Sequence, residues 1–133
     1  MTVTKVLAID DSPVVLSLIK DILSLEDYEV ETANNGPEGI EKYPKFMPDI
    51  VTLDVAMPGM DGCETLAALK DIDKNANVIM VTATDNSDAL KDCMDNGASS
   101  VLSKPFMPND LLEAIGKATE TSKSKVWDER EMG

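Results

Sequence analysis

Three four-residue runs, Val6 to Ile9 (VLAI), Ile50 to Leu53 (IVTL) and Val78 to Val81 (VIMV), are apolar at every position except Thr52. A strand with one wet face alternates apolar and polar residues. A continuous run reads instead as a strand covered on both faces, which is the interior of a parallel sheet. Val101-Leu102 is a shorter run of the same kind, expected as a further core strand. Tyr28 to Ala33 (YEVETA) alternates, so it is expected at a sheet edge with one face exposed.

Helical patterns lie between these runs. Ser12-Pro13 is an N-cap and first-turn pair, and Val14, Val15, Leu18, Ile19, Ile22 and Leu23 after it make one broad apolar stripe. Gly36-Pro37 opens a second helix with Ile40, Tyr43 and Met47, and Leu66, Leu69 and Ile72 mark a third. Leu90, Cys93 and Met94 mark a fourth between Ser87 and Gly97, and Leu111, Leu112, Ile115 and Ala118 a fifth. Five strands alternating with five helices predict an α/β fold, a doubly wound parallel sheet. A chain of 133 residues makes one domain, and a domain of this size buries roughly 68% of its unfolded surface, enough for a core without staples. Residues 1–122 are expected to form that domain. Thr121 to Gly133 loses periodicity and turns polar, so residues 123–133 read as a tail or the start of a linker, with Trp127 folded back on the last helix or exposed in preference to a partner-binding role.

Charge and composition narrow the chemistry. There are 25 Asp+Glu against 12 Lys+Arg, for a formal charge of -13, and no histidine. Such a chain repels phosphate backbones and anionic lipid, and it cannot build a Ser-His-Asp triad, a Cys-His dyad or a His-ligated zinc site. Carboxylates remain, and they suit hard cations such as Mg²⁺ or Ca²⁺. Cys63 and Cys93, 30 residues apart and outside any C-x-x-C pattern, suggest neither a disulfide framework nor a redox motif. They are expected on helix surfaces or in the core. The first ten residues lack a signal-peptide pattern, and no apolar run approaches the ~18 residues of a membrane helix. The expected location is cytoplasmic.

Open α/β sheets bind ligands at the carboxyl ends of their strands. There the first run leads into Asp10-Asp11, the second into Asp54, the third into Thr82 and the last into Lys104-Pro105. Singly, each has an ordinary explanation: Asp caps helices, Thr ends strands, Lys decorates surfaces. Jointly, they deliver three carboxylates, a hydroxyl and an ammonium to one sheet edge. At ~4 Å and an effective dielectric of 20, each carboxylate pair repels by about 4 kcal/mol, so cations must sit among them. Mg²⁺ and Lys104 together neutralise three carboxylates and leave the site poised for an anion. A phosphoryl group there would meet Mg²⁺ and the ammonium, Thr82 as hydrogen-bond donor and a carboxylate nucleophile.

The run Ala8-Ile9-Asp10-Asp11-Ser12, the segment Leu53 to Gly62 (LDVAMPGMDG), the segment Met80-Val81-Thr82-Ala83 and the end Lys104-Pro105-Phe106 resemble the receiver domain of two-component response regulators, of the CheY-like single-domain kind. The similarity extends over about residues 4 to 120. It implies the strand order 2-1-3-4-5, the order given for this fold type in general descriptions of doubly wound sheets. It further implies that Asp54 is the phosphoacceptor. Asp11, Asp54 and the backbone carbonyl of Ala56 would ligate Mg²⁺, with Asp10 holding it through water. Lys104, Thr82 and the Ala83 backbone N–H would cradle the phosphoryl oxygens, and Lys104-Pro105 would be a cis peptide. Met57-Pro58 and Asp61-Gly62 would shape the loop after the acceptor. The chain departs from the family pattern at Val101, where Tyr or Phe is common three residues before the lysine. That change leaves the phosphorylation chemistry intact and bears on the read-out.

The implied function is a phosphorylation-dependent switch rather than an enzyme with an external substrate. A sensor histidine kinase or phosphotransfer protein would donate to Asp54, docking on the helix at about Pro13 to Leu25. The surface from Ser87 to Ser122 would meet a downstream protein, the chain acting as a monomer or weak dimer with no direct contact to nucleic acid or membrane. Output would run through protein contacts unless the chain is cut from a longer protein. Three rivals are weighed against this, of which a flavodoxin-like flavin binder is discarded because it would place hydroxyl residues where Asp10-Asp11 stand and would want aromatics, which are 4% of the chain. Haloacid-dehalogenase-like phosphatases need a second acid two residues after the nucleophile, where this chain has Ala56, and place their acidic pair last. A phosphorylation-independent docking module would be expected to have lost a site residue, and all five are present.

Overall fold

The computed structural model describes the backbone of residues 3–132 and the side chains of residues 3–120. Five strands, β1 (Lys5–Ile9), β2 (Glu29–Ala33), β3 (Ile50–Leu53), β4 (Val78–Thr82) and β5 (Ser100–Ser103), alternate with five helices, α1 (Pro13–Ser24), α2 (Gly36–Phe46), α3 (Gly62–Ile72), α4 (Ser87–Asp95) and α5 (Pro108–Met132). All pairings are parallel and the order is β2-β1-β3-β4-β5, the expected doubly wound topology.

The continuous apolar runs are explained by a two-sided core. Successive residues of a strand point to opposite faces. Leu7, Ile9, Val51, Leu53, Val78 and Met80 therefore pack with Tyr43, Leu66, Leu69 and Cys93 of α2, α3 and α4. Val6, Ala8, Ile50, Ile79 and Val81 pack on the other side with Leu16, Ile19 and Leu23 of α1 and Leu111 and Ile115 of α5. Burying each such Leu or Ile contributes about 1.5–3 kcal/mol. Thr52 is the exception in these runs. It is buried, and its hydroxyl has no hydrogen-bond partner among the described residues.

Helix starts follow local chemistry. Ser12 Oγ accepts from Val15 N at 3.3 Å, Asn35 Oδ1 from Glu38 N at 2.8 Å, and Asp61 and Glu64 form a reciprocal capping box, each arrangement satisfying a donor that the first helical turn leaves unpaired.

Several expectations are corrected. β5 is the second edge strand, as the order 2-1-3-4-5 requires, and lacks the two-sided cover of the other apolar runs: Val101 is outward and 36% exposed, and only Leu102 leans on the core. Val14 and Leu18 lie on the open flank of α1, while Leu16, absent from the expected stripe, is buried with Ile19 and Leu23. The stripe is wider than the face the sheet covers. Met47 lies just past α2, in a left-handed conformation (φ 53°) that turns it into solvent. Ile72 and Met94, at or near helix ends, are also exposed. Apart from these corrections, the backbone of α5 continues helically to Met132. The side chain of Trp127 lies outside the described residues. Cys63 and Cys93 are joined by a disulfide, against the expectation of two separate thiols. Their spacing in the chain carries no signal, because α3 and α4 bring them together only once both pack on the sheet.

Candidate acidic phosphoryl-acceptor site

Parallel strands end on the same side, so the residues after β1, β3, β4 and β5 converge on one edge. Asp10 follows β1, and its N–H donates to Ala33 O at 3.1 Å. Asp54 follows β3, and its N–H donates to Ile9 O at 3.1 Å. These ladder bonds fix both backbones side by side. Oxygens of Asp10, Asp11 and Asp54 lie within 4.8 Å of one another, Asp10 and Asp54 buried and Asp11 exposed. The loop after Asp54 is held from below: Gly62 N donates to Val55 O at 2.8 Å, and a Cβ at Gly62 would collide with the Asp54 carbonyl. α3 can approach Asp54 this closely only with glycine there.

Lys104 reaches in from the end of β5, next to a cis Lys104–Pro105 bond. Its Nζ lies 2.7 Å from Asp10 Oδ2 and 3.4 Å from Asp54 Oδ2. The lysine thus bridges both buried carboxylates and sits closer to Asp10. Its own N–H donates to Thr82 O at 2.9 Å, tying β5 to the residue that carries the site hydroxyl. Thr82 is buried, and its Oγ1 accepts from Thr84 N at 3.2 Å. Ala83 is exposed beside it. Asp54 Oδ1 accepts from Ala56 N at 3.3 Å and Asp10 Oδ1 from Ser12 N at 2.9 Å, so each buried carboxylate has a backbone donor as well as the ammonium.

Electrostatics follow from this crowding. Burial pushes the Asp10 carboxyl above its ordinary range, and the charge of Asp54 adds to the effect, against hydrogen bonds from Lys104 and Ser12. For Lys104, burial works to lower the ammonium's proton affinity, but the hydrogen bond and charge of Asp10, with Asp54, outweigh it and the net shift is upward. Three carboxylates and one ammonium leave two negative charges uncompensated. The donor set is all oxygen, with one carboxylate open to solvent, and this fits a hard divalent cation.

The structure brings Asp10, Asp11, Asp54, Thr82 and Lys104 to one sheet edge, with Ala56 and Ala83 on adjoining loops. Val101 is the site-associated residue that stands apart, facing outward on β5. Sequence reasoning missed the proximity of Lys104 to Asp10, which no local motif signals, and the disulfide.

The profile of the response regulator receiver domain matches residues 6–116. Chemotaxis protein CheY of Listeria monocytogenes is 41% identical over 117 residues, covering 87% of this chain and 98% of that protein. A CheY-like receiver domain protein from Methanospirillum hungatei superposes with a TM-score of 0.90 at 29% identity, over 93% of this chain and 99% of that one. CheY in a CheX–CheY–BeF3–Mg²⁺ complex from Borrelia burgdorferi gives a TM-score of 0.80 at 36% identity, over 84% and 86% of the two chains. The match over most of the chain, in sequence and in fold, places it in the response regulator receiver domain family, as a chemotaxis-like receiver of a two-component system.

Proposed function

We propose that this receiver is a Mg²⁺-dependent phosphoacceptor switch in which Asp54 takes a phosphoryl group from a phosphohistidine of a partner kinase or phosphotransfer protein, or from a small acyl phosphate. The observation that carries the reading is the Lys104 ammonium bridging buried Asp10 and Asp54 beside the exposed carboxylate of Asp11. The chain has no histidine of its own, so the donor histidine lies outside these 133 residues. A Mg²⁺ ion held by Asp11, Asp54 and the Ala56 carbonyl, with Asp10 behind it, would supply charge neutralisation at the phosphoryl oxygens.

The residues divide the work. An Asp54 oxygen attacks phosphorus in line, the P–N bond of the phosphohistidine breaks, and the imidazole leaves with the bonding pair. Lys104 follows the new negative charge, turning from Asp10 toward the phosphoryl oxygens. Thr82 re-aims its hydroxyl as a donor, and the Ala83 N–H completes the cradle. Phosphorylation replaces one carboxylate charge with about two negative charges and three strong acceptor oxygens. Thr82 and Lys104 open β4–α4 and close β5, so their movement biases the surface made by α4, β5 and α5, about Ser87 to Ser122. Val101 lies on that surface in place of an aromatic ring, and a downstream protein reads it there. The donor docks on α1, whose Val14 and Leu18 are exposed. The reading carries with it a cytoplasmic monomer or weak dimer whose phosphorylation and dephosphorylation are self-catalysed.

Incubation with Mg²⁺ and acetyl phosphate followed by intact-mass measurement tests it. One phosphoryl group is expected on the wild type and none on Asp54→Asn. Absence of any gain with several donors would favour a phosphorylation-independent docking module, and rapid multiple turnover of donor would favour a phosphatase.

A further inference from the structure

We propose that Cys63 and Cys93 are a reversible thiol–disulfide latch that sets how firmly α4 is held to α3, and through it how far α4 responds to phosphorylation. The first part stands on the fold alone. The second rests on the phosphoacceptor reading above.

The two ends of the bridge differ in how they are anchored. Cys63 is the second residue of α3, next to Gly62, which is packed against the Asp54 carbonyl and bonded to Val55 O. That end is fixed on the backbone carrying the acceptor. Cys93 is on α4, and it is the one buried residue of that helix. Ala89 and Leu90 are only partly buried against the same core, and Lys91, Asp92, Met94 and Asp95 are exposed. α3 is also the main element that α4 packs against. A helix held by a single buried side chain depends on that side chain, and here it is one half of a covalent bond. The Cα atoms lie 5.4 Å apart, in the range that a disulfide spans without moving either helix.

The chemistry is balanced and has an accessible entry point. Oxidation by a low-molecular-weight disulfide converts the two thiols to one S–S bond and releases two small thiols. In the reverse direction a small thiolate attacks the sulfur of Cys63, the partly exposed partner. The S–S bond breaks, and Cys93 leaves with the pair and takes up a proton. A second small thiol then frees Cys63 as the small disulfide forms. Reduced Cys93 remains as a small hydrophobe in the core cluster, so α4 stays folded but loses its tether. In a thiol-reducing compartment such a bond is transient, which suits regulation better than permanent bracing.

Three measurements on the full chain test this. After treatment with oxidised glutathione or with dithiothreitol, alkylation and intact mass should show no free thiol in the first case and two in the second, reversibly. Two alkylatable thiols after oxidant, or glutathione adducts alone, would overturn the latch. Hydrogen exchange of the peptide covering Ser87–Asp95 should be about tenfold faster in the reduced protein. Cys63→Ser, which spares the buried cysteine, should exchange like the reduced form under both conditions. Equal rates in the two redox states would overturn it. Finally, Mg²⁺ with beryllium fluoride should change α4 exchange more in the reduced than in the oxidised protein, and an equal change in both would overturn the coupling. No beryllium fluoride response in either state, together with no phosphoryl gain from acetyl phosphate, would instead remove the phosphoacceptor reading and leave the latch to the first two measurements.

Discussion

The Lys104 ammonium is 2.7 Å from Asp10 and forms there the shorter of its two ion pairs in the site, the one with Asp54 being 3.4 Å long. In the unphosphorylated chain the lysine therefore occupies a carboxylate that a divalent cation would also draw on. On the proposed function, lysine and metal would compete before a phosphoryl group arrives and cooperate afterwards.

Replacement of Lys104 by Ala should consequently tighten Mg²⁺ while crippling phosphoryl transfer. We expect Kd for Mg²⁺ to fall about tenfold, equivalent to ~1.4 kcal/mol, which is within reach of a unit charge at this range. Phosphoryl gain from acetyl phosphate should slow by at least about a hundredfold, since a preorganised cation is lost where charge develops. Calorimetric titration and timed mass measurement check both. Unchanged Mg²⁺ affinity would show that the Lys104–Asp10 pair does not oppose the metal.

Three carboxylates within 4.8 Å make the metal-free chain less stable than it would be with a counter-ion. Mg²⁺ should raise Tm through linkage, by about 2.7 kcal/mol of stability at a hundred times Kd. Asp11→Asn removes the exposed ligand without touching the buried pair. It should raise the metal-free Tm and abolish most of the Mg²⁺-dependent gain. Thermal melts with and without chelator decide this, and a full Mg²⁺ response in the variant would exclude Asp11 as a ligand.

Thr52 lies in β3 between Ala8 and Ile79 of the neighbouring strands, with its buried hydroxyl unpaired. Thr52→Val keeps the shape and removes the orphan polar group. It should stabilise the fold by about 1–2 kcal/mol. Urea denaturation reads the change, and a loss of stability would mean that the hydroxyl has a partner in solution.

Tyr43 donates to Asp73 Oδ2 at 2.9 Å, tying α2 to the end of α3. Burial, reinforced by the Asp73 hydrogen bond and charge, pushes the phenol well above its ordinary value of 10.0. The folded chain holds this proton more tightly than the unfolded chain does. Its contribution is complete below about pH 10 and is lost as pH rises from there through the folded value, by up to ~1.4 kcal/mol per pH unit. Tyr43→Phe should cost about 1–2 kcal/mol at pH 7 and flatten the stability decline above pH 10 relative to wild type. Parallel alkaline limbs in the two proteins would contradict the assignment.

The architecture and the meeting of the site residues were legible because both rest on local regularities. Continuous runs at Val6, Ile50 and Val78 require cover on two faces, and parallel strands must end on one side. Asp10, Asp54, Thr82 and Lys104, each placed just after a run, therefore had to meet. Backbone geometry settles these points within a few residues of chain. Other features depended on segments far apart. Nothing near Val101 says that no sixth strand covers β5. Nothing near Leu16 says which part of a wide apolar stripe the sheet will shade, and so Val14 and Leu18 were misplaced. Cys63 and Cys93 meet only because α3 and α4 pack on the same face of the sheet. Lys104 lies nearer to Asp10 than to Asp54 because of how β5 is set against β4, at a scale of an ångström that residue type and spacing do not encode. Periodicity specifies which side chains seek burial, whereas the packing of remote elements decides which of them find it and which charges end up as neighbours.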